Sequence, residues 1–229
     1  MSKGKLIVLE GLDGSGKATQ TQLLVDTLKS DGENIFKVTF PNYEDPSSSL
    51  VKMYLNSEFG ESPEEVNSYA ASSFFAVDRY ASYMKYWRKV YNSGAVIVSD
   101  RYTTSNMVYQ LSKLDKSEWD KYIEWLSDYE YVKLGIPSPN LTIYLDMPVE
   151  VSQKFMTERY NGLESKKDLH ERNVEFLKKG RKSALYAASK FHWVVIPCSK
   201  EDGTPKSIDE IHNMVMESVK GVLSKDDKI

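Results

Sequence analysis

Glycine-rich residues near the start of the chain could bind the phosphates of a nucleotide. The segment 11–17 reads Gly-Leu-Asp-Gly-Ser-Gly-Lys and follows the apolar run Leu6–Leu9. Glycines let the backbone curl so that successive N–H groups point at phosphate oxygens. A helix that begins near Lys17 would direct the positive end of its dipole to the same place, and the Lys17 ammonium can reach the β- and γ-phosphates. This arrangement predicts a P-loop that binds a nucleoside triphosphate.

The residue after the lysine departs from the usual P-loop pattern. That pattern has Ser or Thr, whose hydroxyl helps to hold Mg²⁺, whereas here Ala18 is followed by Thr19. Because one helical step turns a side chain by roughly 100°, Thr19 should not replace the missing hydroxyl. We therefore expect the metal to depend on phosphate oxygens, water and nearby carboxylates, with Asp13 and Asp100 as the first candidates.

Charged and aromatic residues follow two further apolar runs. The tripeptide Asp-Arg-Tyr at 100–102 comes after Ala95–Val98, where Asp100 can orient the water shell of a metal and Arg101 can bind phosphate through its planar guanidinium. Such a tripeptide can also be an N-cap salt bridge, but its place after a strand of a P-loop protein favours the functional interpretation. Phe40 is the last residue of the preceding strand candidate, Ile35–Phe40. It could form an apolar wall of the site or belong to the core.

Two residue pairs at helical spacing could hold a planar base. Phe75 and Arg79 are four positions apart and share a helix face. An aromatic ring beside a guanidinium suits a base that presents carbonyl oxygens. In the segment Ser105–Tyr109, Asn106 and Tyr109 also share a face. These side chains are therefore candidates for substrate binding.

The elements that position these residues alternate between strands and helices. Apolar runs predict five strands, at Leu6–Leu9, Ile35–Phe40, Ala95–Val98, Leu141–Leu145 and Trp193–Ile196. The helix candidates include Thr19–Lys29, Glu64–Tyr91 and Ile208–Leu223. Such runs with helices between them indicate an α/β fold with a parallel sheet covered on both faces. We predict a single domain over residues 1–224, followed by a polar tail at 225–229.

The composition excludes several classes of partner. The chain has 229 residues, of which 41% are hydrophobic and 28% charged, as in ordinary globular proteins. The net charge of −3 offers no overall basic surface for nucleic acid or an anionic membrane, and no apolar run is long enough to span a bilayer. A single cysteine, Cys198, fits a reducing compartment. We expect a cytoplasmic protein without nucleic-acid or membrane partners.

Together these features resemble the thymidylate kinase family. The resemblance is carried, in order along the chain, by the loop 11–17 with Thr19-Gln20, Phe40-Pro41, Phe75 to Arg79, the tripeptide 100–102, and Gly-Ile-Pro-Ser-Pro at 135–139. It implies a P-loop kinase fold with a five-stranded parallel sheet and a mobile lid. It also implies transfer of the γ-phosphoryl group of ATP to dTMP, giving dTDP and ADP for dTTP biosynthesis. Mg²⁺ would be the cofactor, and the protein would be a homodimer.

The resemblance further implies roles for single residues. Phe75 would stack on thymine, Arg79 would hydrogen-bond a ring carbonyl, and Asn106 would contact the pyrimidine. Tyr109 would pack beneath the sugar and exclude a 2′-hydroxyl. Phe40 and Ser105 complete the expected substrate-binding residues.

Phosphate binding is expected from the loop and from two charged side chains. Asp13 would align acceptor and metal, and Arg101 would hold the acceptor phosphate. The expected ATP-binding residues are Gly11, Leu12, Asp13, Gly14, Ser15, Gly16, Lys17, Ala18 and Thr19. No general base stands out, because a phosphate monoester with a second pKa of about 6 is already largely ionised at neutral pH. Catalysis should depend on positioning and charge neutralisation.

The segment 154–173 matches the lid of the family in its place along the chain. The P-loop has Gly14-Ser15 where some members carry an arginine, so we expect the lid to supply it, with Arg159 as the first choice and Arg172 as the second. Lid closure would exclude water. Glu171 is a further candidate near substrate and metal. By charge alone, the lysines of this segment are those of a solvated helix–loop–helix.

Two other functions are compatible with a P-loop. A deoxynucleoside kinase needs a catalytic carboxylate near the end of the second strand, where Asn42 and Tyr43 are neutral but Glu44 and Asp45 follow. A guanine-nucleotide switch is suggested weakly by Ser-Lys-Glu-Asp at 199–202, whose first residue is wrong for the usual pattern. The aromatic segment 119–129 is expected in the core, and part of it or of Glu64–Tyr91 could form the dimer interface.

Overall fold

The computed structural model describes residues 3–223 and shows a five-stranded parallel sheet in the order β2-β3-β1-β4-β5. Its strands are β1 (Lys5–Gly11), β2 (Ile35–Thr39), β3 (Val96–Asp100), β4 (Leu141–Asp146) and β5 (Val194–Pro197). All five strand predictions are confirmed. The polar tail predicted at 225–229 lies outside the described residues.

Helices cover both faces of this sheet, as predicted. They are α1 (Lys17–Ser30), α2 (Ser49–Leu55), α3 (Ser68–Ser82), α4 (Arg88–Asn92), α5 (Thr104–Tyr109), α6 (Trp119–Ser127), α7 (Val149–Arg159), α8 (Val174–Phe191) and α9 (Ile208–Leu223). Because side chains alternate along a strand, Ile7 and Leu9 of β1 pack in one core cluster with residues of α1 and α9. Leu6 and Val8 pack on the opposite face with Trp87 and Tyr102.

The predicted helix Glu64–Tyr91 is interrupted. A 3-10 turn at Pro63–Glu65 comes first, and α3 begins only after Asn67, whose backbone is extended and whose side chain accepts a hydrogen bond from the Ala70 N–H. An N-cap of this kind ends the preceding conformation and starts a new helix. From α3 the chain runs through a π turn at Tyr83–Trp87 into α4.

The strand register brings the candidate residues to one edge of the sheet. Leu9 of β1 and Thr39 of β2 both stand opposite Asp100 of β3, and Gly11 stands opposite Leu145 of β4. The loop that follows β1 therefore starts beside the ends of three other strands. The predicted lid segment 154–173 begins inside α7 and ends just before α8. Within residues 3–223, none of the helices combines the length and apolar character needed to cross a membrane.

Candidate active site

The loop after β1 has the backbone of a phosphate-binding loop. Gly14 and Gly16 have φ angles of 77° and 86°, in the left-handed region that glycine adopts without a steric cost. A Cβ on Gly14 would also lie 2.4 Å from the Ser152 carbonyl oxygen. Helix α1 starts directly after Gly16, so its free N–H groups face the loop. This geometry can receive a polyphosphate.

Lys17 is folded back over this loop. Its ammonium donates to the Leu12 carbonyl at 2.8 Å and lies 3.9 Å from Asp13 Oδ1. Burial, together with the nearby Arg101, lowers the pKa of Lys17 to about 8. Anionic phosphates placed beside the ammonium would favour its charged form.

A cavity of about 550 Å³ lies next to the loop at the carboxyl ends of the strands. Ligands bind at this edge in open α/β sheets. The predicted site residues that line it are Asp13, Phe40, Phe75, Arg79, Asp100, Arg101, Ser105, Asn106, Tyr109, Arg159 and Glu171. The structure thus brings every predicted substrate-binding residue to one cavity, although their individual roles stay predictions. Arg172, the second choice for the lid arginine, does not line it; its guanidinium donates to Ser57 Oγ at 2.6 Å.

Asp13, Arg101 and Tyr109 form a charged network where this cavity meets the loop. Asp13 forms an ion pair with Arg101 and accepts a hydrogen bond from the Tyr109 hydroxyl at 2.8 Å. The Arg101 guanidinium also lies over the Tyr109 ring, 5.3 Å from its centroid. Although burial alone would raise the pKa of Asp13, Arg101 and Lys17 hold it well below its usual range. The carboxylate is therefore ionised, and an incoming phosphate would compete with it for Arg101.

Arg79 at the inner end of the cavity is part of a buried ion pair. Its Nε and Nη2 donate to the two carboxylate oxygens of Glu130 at 2.7 and 2.6 Å. Glu130 also accepts from Thr103 Oγ1 and Asn106 Nδ2, both at 3.2 Å. Glu130 thus fixes the position of the Arg79 guanidinium, a contact that the spacing of residues along the sequence did not reveal.

Gln110 is a second missed residue. It is fully buried and lines the cavity, and neither its amide oxygen nor its amide nitrogen has a hydrogen-bond partner of normal geometry among the described residues. An unpaired buried amide is costly unless a ligand satisfies it. Its position directly after Tyr109 in a polar segment was a signal that could have identified it.

Glu10, the third missed residue, fixes the start of α5. Its buried carboxylate accepts hydrogen bonds from the Tyr102 N–H at 3.1 Å, Thr104 Oγ1 at 2.7 Å and Ser105 Oγ at 2.9 Å. Burial raises the pKa of Glu10. Because the Ser105 proton is used in this contact, Ser105 can offer a ligand only its lone pairs.

The two candidate ligands for Mg²⁺, Asp13 and Asp100, differ in whether their carboxylate oxygens already have partners. Both oxygens of Asp13 already have partners, whereas the Asp100 carboxylate lines the cavity without a hydrogen bond or ion pair from another described side chain. Within residues 3–223, no three or more His, Cys, Asp or Glu side chains form a metal cage. Mg²⁺ is usually held by one or two carboxylates plus substrate phosphates and water, so these residues fit that cation.

The end of β2 is where a deoxynucleoside kinase would need its catalytic carboxylate. Thr39, Phe40, Pro41 and Tyr43 line the cavity there, while Glu44 and Asp45 do not. The Asp45 carboxylate instead accepts from the Ser47 N–H and the Tyr86 hydroxyl and forms an ion pair with Lys85. The described residues at this strand end therefore place no carboxylate where a nucleoside hydroxyl would need a base.

A phosphate-binding loop beside a cavity for an acceptor, on a five-stranded parallel sheet, defines the class of P-loop kinases. The thymidylate kinase family model matches residues 9–214, so the chain belongs to the thymidylate kinase family.

Individual relatives agree with this family. The chain is 31% identical over 226 residues to the thymidylate kinase of a Sulfurihydrogenibium species, covering 95% of this chain and 97% of that protein. It is 29% identical to the thymidylate kinase of Plasmodium falciparum over 220 residues, covering 95% and 90%. The solved structure of the Candida albicans thymidylate kinase has the same fold, with a TM-score of 0.70 at 24% identity, covering 96% of this chain and 93% of that one.

Proposed function

We propose that this protein transfers the γ-phosphoryl group of ATP to dTMP, giving dTDP and ADP, as a step of dTTP biosynthesis. The observation that carries the proposal is that Phe75, Arg79 and Arg101 line one cavity beside the P-loop. An aromatic ring and a guanidinium at one end suit a pyrimidine with carbonyl oxygens, and a second guanidinium at the loop suits its phosphate. Family membership supports the same acceptor.

The donor and acceptor phosphates would meet between the loop and Arg101. The N–H groups of residues 11–19 and the Lys17 ammonium would hold the ATP phosphates, while Arg101 would leave Asp13 in part to bind the phosphate of dTMP. The attacking oxygen needs no base because that phosphate is already largely ionised at neutral pH. The protein would therefore act by holding two polyanions in line and neutralising their charge.

Asp100 and Asp13 would hold Mg²⁺ together with the phosphates of ATP. When bound, the ion neutralises the charge that develops on the transferred group. Because the Ala18 methyl offers no ligand, the side chains available at this place are the two carboxylates. This assignment rests on the unpartnered carboxylate of Asp100 and its place in the cavity lining.

Arg159 would act as the lid cation of the segment 154–173. It is the last residue of α7 and lines the cavity, and its Nη1 lies 3.9 Å from Glu171 Oε1. This supports Arg159 over Arg172. Two further cations of the cavity wall are Lys52 and Lys166. They would add to the positive charge around the acceptor phosphate.

A homodimer would form through α3 and the π turn after it. Val77, Tyr80 and Met84 leave 46%, 37% and 43% of their surface exposed, and their spacing places them on one helical face. The other candidate, the segment 119–129, packs into the core, where Tyr122 and Leu126 are fully buried. Light scattering on the double variant Val77→Glu, Met84→Glu measures its molar mass in solution and so tests this face. We expect a monomer, and a double variant that remains dimeric would contradict the proposed interface.

A cytoplasmic location is part of the proposal. The buried Cys198 thiol is the single cysteine of the chain and has no disulfide, which fits a reducing compartment. Fractionation of the source cells with an antibody against the protein would test it.

A comparison of acceptors tests the proposed reaction. ATP and Mg²⁺ are mixed with each of the four deoxynucleoside monophosphates or with thymidine, and ADP release is measured. We expect dTMP to be the preferred acceptor and thymidine to be inactive. Faster release with thymidine would establish a nucleoside kinase, and equal rates with all four monophosphates would remove the base selectivity assigned to Phe75 and Arg79.

A further inference from the structure

The imidazole of His170 lies where the lid meets the acceptor cavity. It is buried and lines the cavity, but it has no role in the phosphoryl transfer proposed above. Three rings from three helices surround it, namely Tyr54 of α2, Tyr109 of α5 and Phe176 of α8. Their centroids are 5.4, 5.1 and 4.9 Å from that of the imidazole. His170 therefore contacts three helices beside the cavity.

A hydrogen-bond chain fixes the orientation of this ring. Lys113 Nζ donates to the Tyr54 hydroxyl oxygen at 2.8 Å and to the Val66 carbonyl at 2.9 Å. The hydroxyl proton of Tyr54 is then available for His170 Nε2, which lies 3.0 Å away. We assign the ring proton of His170 to Nδ1, so that Nε2 accepts this bond. Burial lowers the pKa of His170 to about 3, which agrees with a neutral, accepting imidazole.

The other contact of His170 leads to the charged network at the loop. Its ring is stacked on Tyr109 with an angle of 14° between the planes. The Tyr109 hydroxyl donates to Asp13 at 2.8 Å and accepts from Arg101 at 3.3 Å. A displacement of the imidazole would thus remove the support of the ring that positions Asp13 and Arg101.

Two further hydrogen bonds connect the lid to α2 and the turn after it. The Leu169 N–H donates to the Leu55 carbonyl at 3.2 Å, and the Arg172 guanidinium donates to Ser57 Oγ at 2.6 Å. Residues on both sides of His170 therefore bind the end of α2 and the turn after it. The imidazole lines the cavity beside this contact.

We propose that His170 is a positioning residue that seats the lid segment 168–172 on α2 and, through Tyr109, holds Asp13 and Arg101 in the geometry that binds the acceptor. The inference rests on the proposed transfer to dTMP. His170 acts through its neighbours and touches none of the reacting atoms.

Substitutions can separate the hydrogen bond of His170 from its ring. His170→Phe keeps an aromatic ring between Tyr54 and Tyr109 but removes the acceptor. Tyr54→Phe removes the same bond from the other side, together with the acceptor of Lys113, so one of the two variants tests the bond if the other does not fold. His170→Gln restores an acceptor without the ring. The matched control is His192→Asn, because His192 is an exposed helix cap in the left-handed conformation, which asparagine tolerates.

Steady-state kinetics give the first readout. A lost buried hydrogen bond corresponds to about a fivefold to tenfold change, so the KM for dTMP should rise by that factor in His170→Phe, while the KM for ATP changes less than twofold. The double variant should be no worse than Tyr54→Phe alone, because Tyr54→Phe already removes the bond to His170 together with the Lys113 contact. His170→Gln should recover part of the affinity. A residue that merely fills space would tolerate phenylalanine, so an unchanged KM for dTMP, or additive losses in the double variant, would overturn the inference.

Hydrogen exchange gives a readout that is independent of activity. The peptide that contains residues 168–172 should exchange faster in His170→Phe than in wild type, while peptides from β1 and β4 keep their rates. Equal exchange of the lid peptide would also overturn the inference. If the wild type released no ADP with dTMP, the proposed function would fail, and the exchange experiment would still decide whether His170 seats the lid.

Discussion

Replacing Arg79 by alanine should damage the protein in two separable ways. Arg79 and Glu130 are both almost completely buried and share two hydrogen bonds of 2.7 and 2.6 Å. Removal of one partner from such a pair leaves the other charge buried without compensation, at a cost of about 3–5 kcal/mol. That is a large part of the about 5–15 kcal/mol by which a domain is stable. Weak dTMP binding by Arg79→Ala therefore does not by itself demonstrate a lost contact with the base.

The double variant Arg79→Met, Glu130→Leu separates the two effects. Replacing a buried ion pair by apolar side chains of similar size is often neutral or stabilising, although Thr103 and Asn106 lose an acceptor, which costs about 1–3 kcal/mol. We expect the double variant to recover most of the stability lost in Arg79→Ala. Its affinity for dTMP should stay about 10- to 100-fold below wild type, because a hydrogen bond to a charged group contributes about 1.5–3 kcal/mol.

Urea unfolding and calorimetric titration with dTMP and with ATP measure these quantities for the same protein preparations. Arg88→Ala is the control, because Arg88 is exposed and its guanidinium contacts Met84 Sδ at 3.6 Å. Affinity for ATP should be unchanged throughout. Recovery of dTMP affinity together with stability in the double variant would refute the assignment of Arg79 to the base. A fully stable Arg79→Ala would refute the structural importance of the ion pair.

Three further perturbations test other parts of the site. Ala18→Ser should leave the affinity for ATP similar and lower the Mg²⁺ concentration needed for the half-maximal rate, because it adds a hydroxyl ligand. If the rate is measured as a function of Mg²⁺ concentration, an unchanged midpoint would contradict this prediction. Lys52 lines the cavity and its ammonium donates to the Tyr43 carbonyl at 3.1 Å, so Lys52→Met should raise the KM for dTMP about two- to fivefold, as expected for a half-exposed charge contact. Lys89→Met, at an exposed lysine outside the cavity lining, is the control. An equal rise in the KM for ATP, or the same rise in the KM for dTMP in Lys89→Met, would contradict this role of Lys52. Burial lowers the pKa of Lys113 to about 7, so between about pH 7 and 10 the unfolded chain binds a proton that the folded chain does not. Stability should therefore rise with pH across this window; Lys113→Met should remove that rise in urea titrations, and parallel pH profiles for the two proteins would disprove it.

The strands could be predicted because their burial leaves a simple pattern. Val96–Asp100 is buried at every position, and its run of apolar residues was recognisable to within two residues at each end. The helix α9 was predicted at its observed bounds because Ile211, Val215 and Val219 face the core at helical spacing. The break before α3 was missed because it depends on the Asn67 side chain as a cap rather than on hydrophobic spacing.

The candidate site was predictable where its residues are neighbours in sequence. The loop 11–17 and the pair Phe75 and Arg79 lie within single turns or strand ends, so spacing alone indicates their chemistry. Glu130 lies 51 positions from Arg79, and it comes from a stretch of mixed charged and aromatic residues without a motif. Its partner is decided by how α3 packs on the segment after α6, which spacing does not encode.

Glu10 shows that part of this missing information was present in the chain. It interrupts an otherwise apolar strand, and a carboxylate buried there needs several hydrogen bonds to offset its lost hydration. Those bonds come from the start of α5, whose Asn106 is in turn held by Glu130, the partner of Arg79 on α3. The two buried acids thus connect β1, α5 and α3 around one cavity. Apolar packing tolerates small shifts, whereas directed hydrogen bonds to a buried charge do not, so these acids occur where the walls of the acceptor site must keep a fixed spacing.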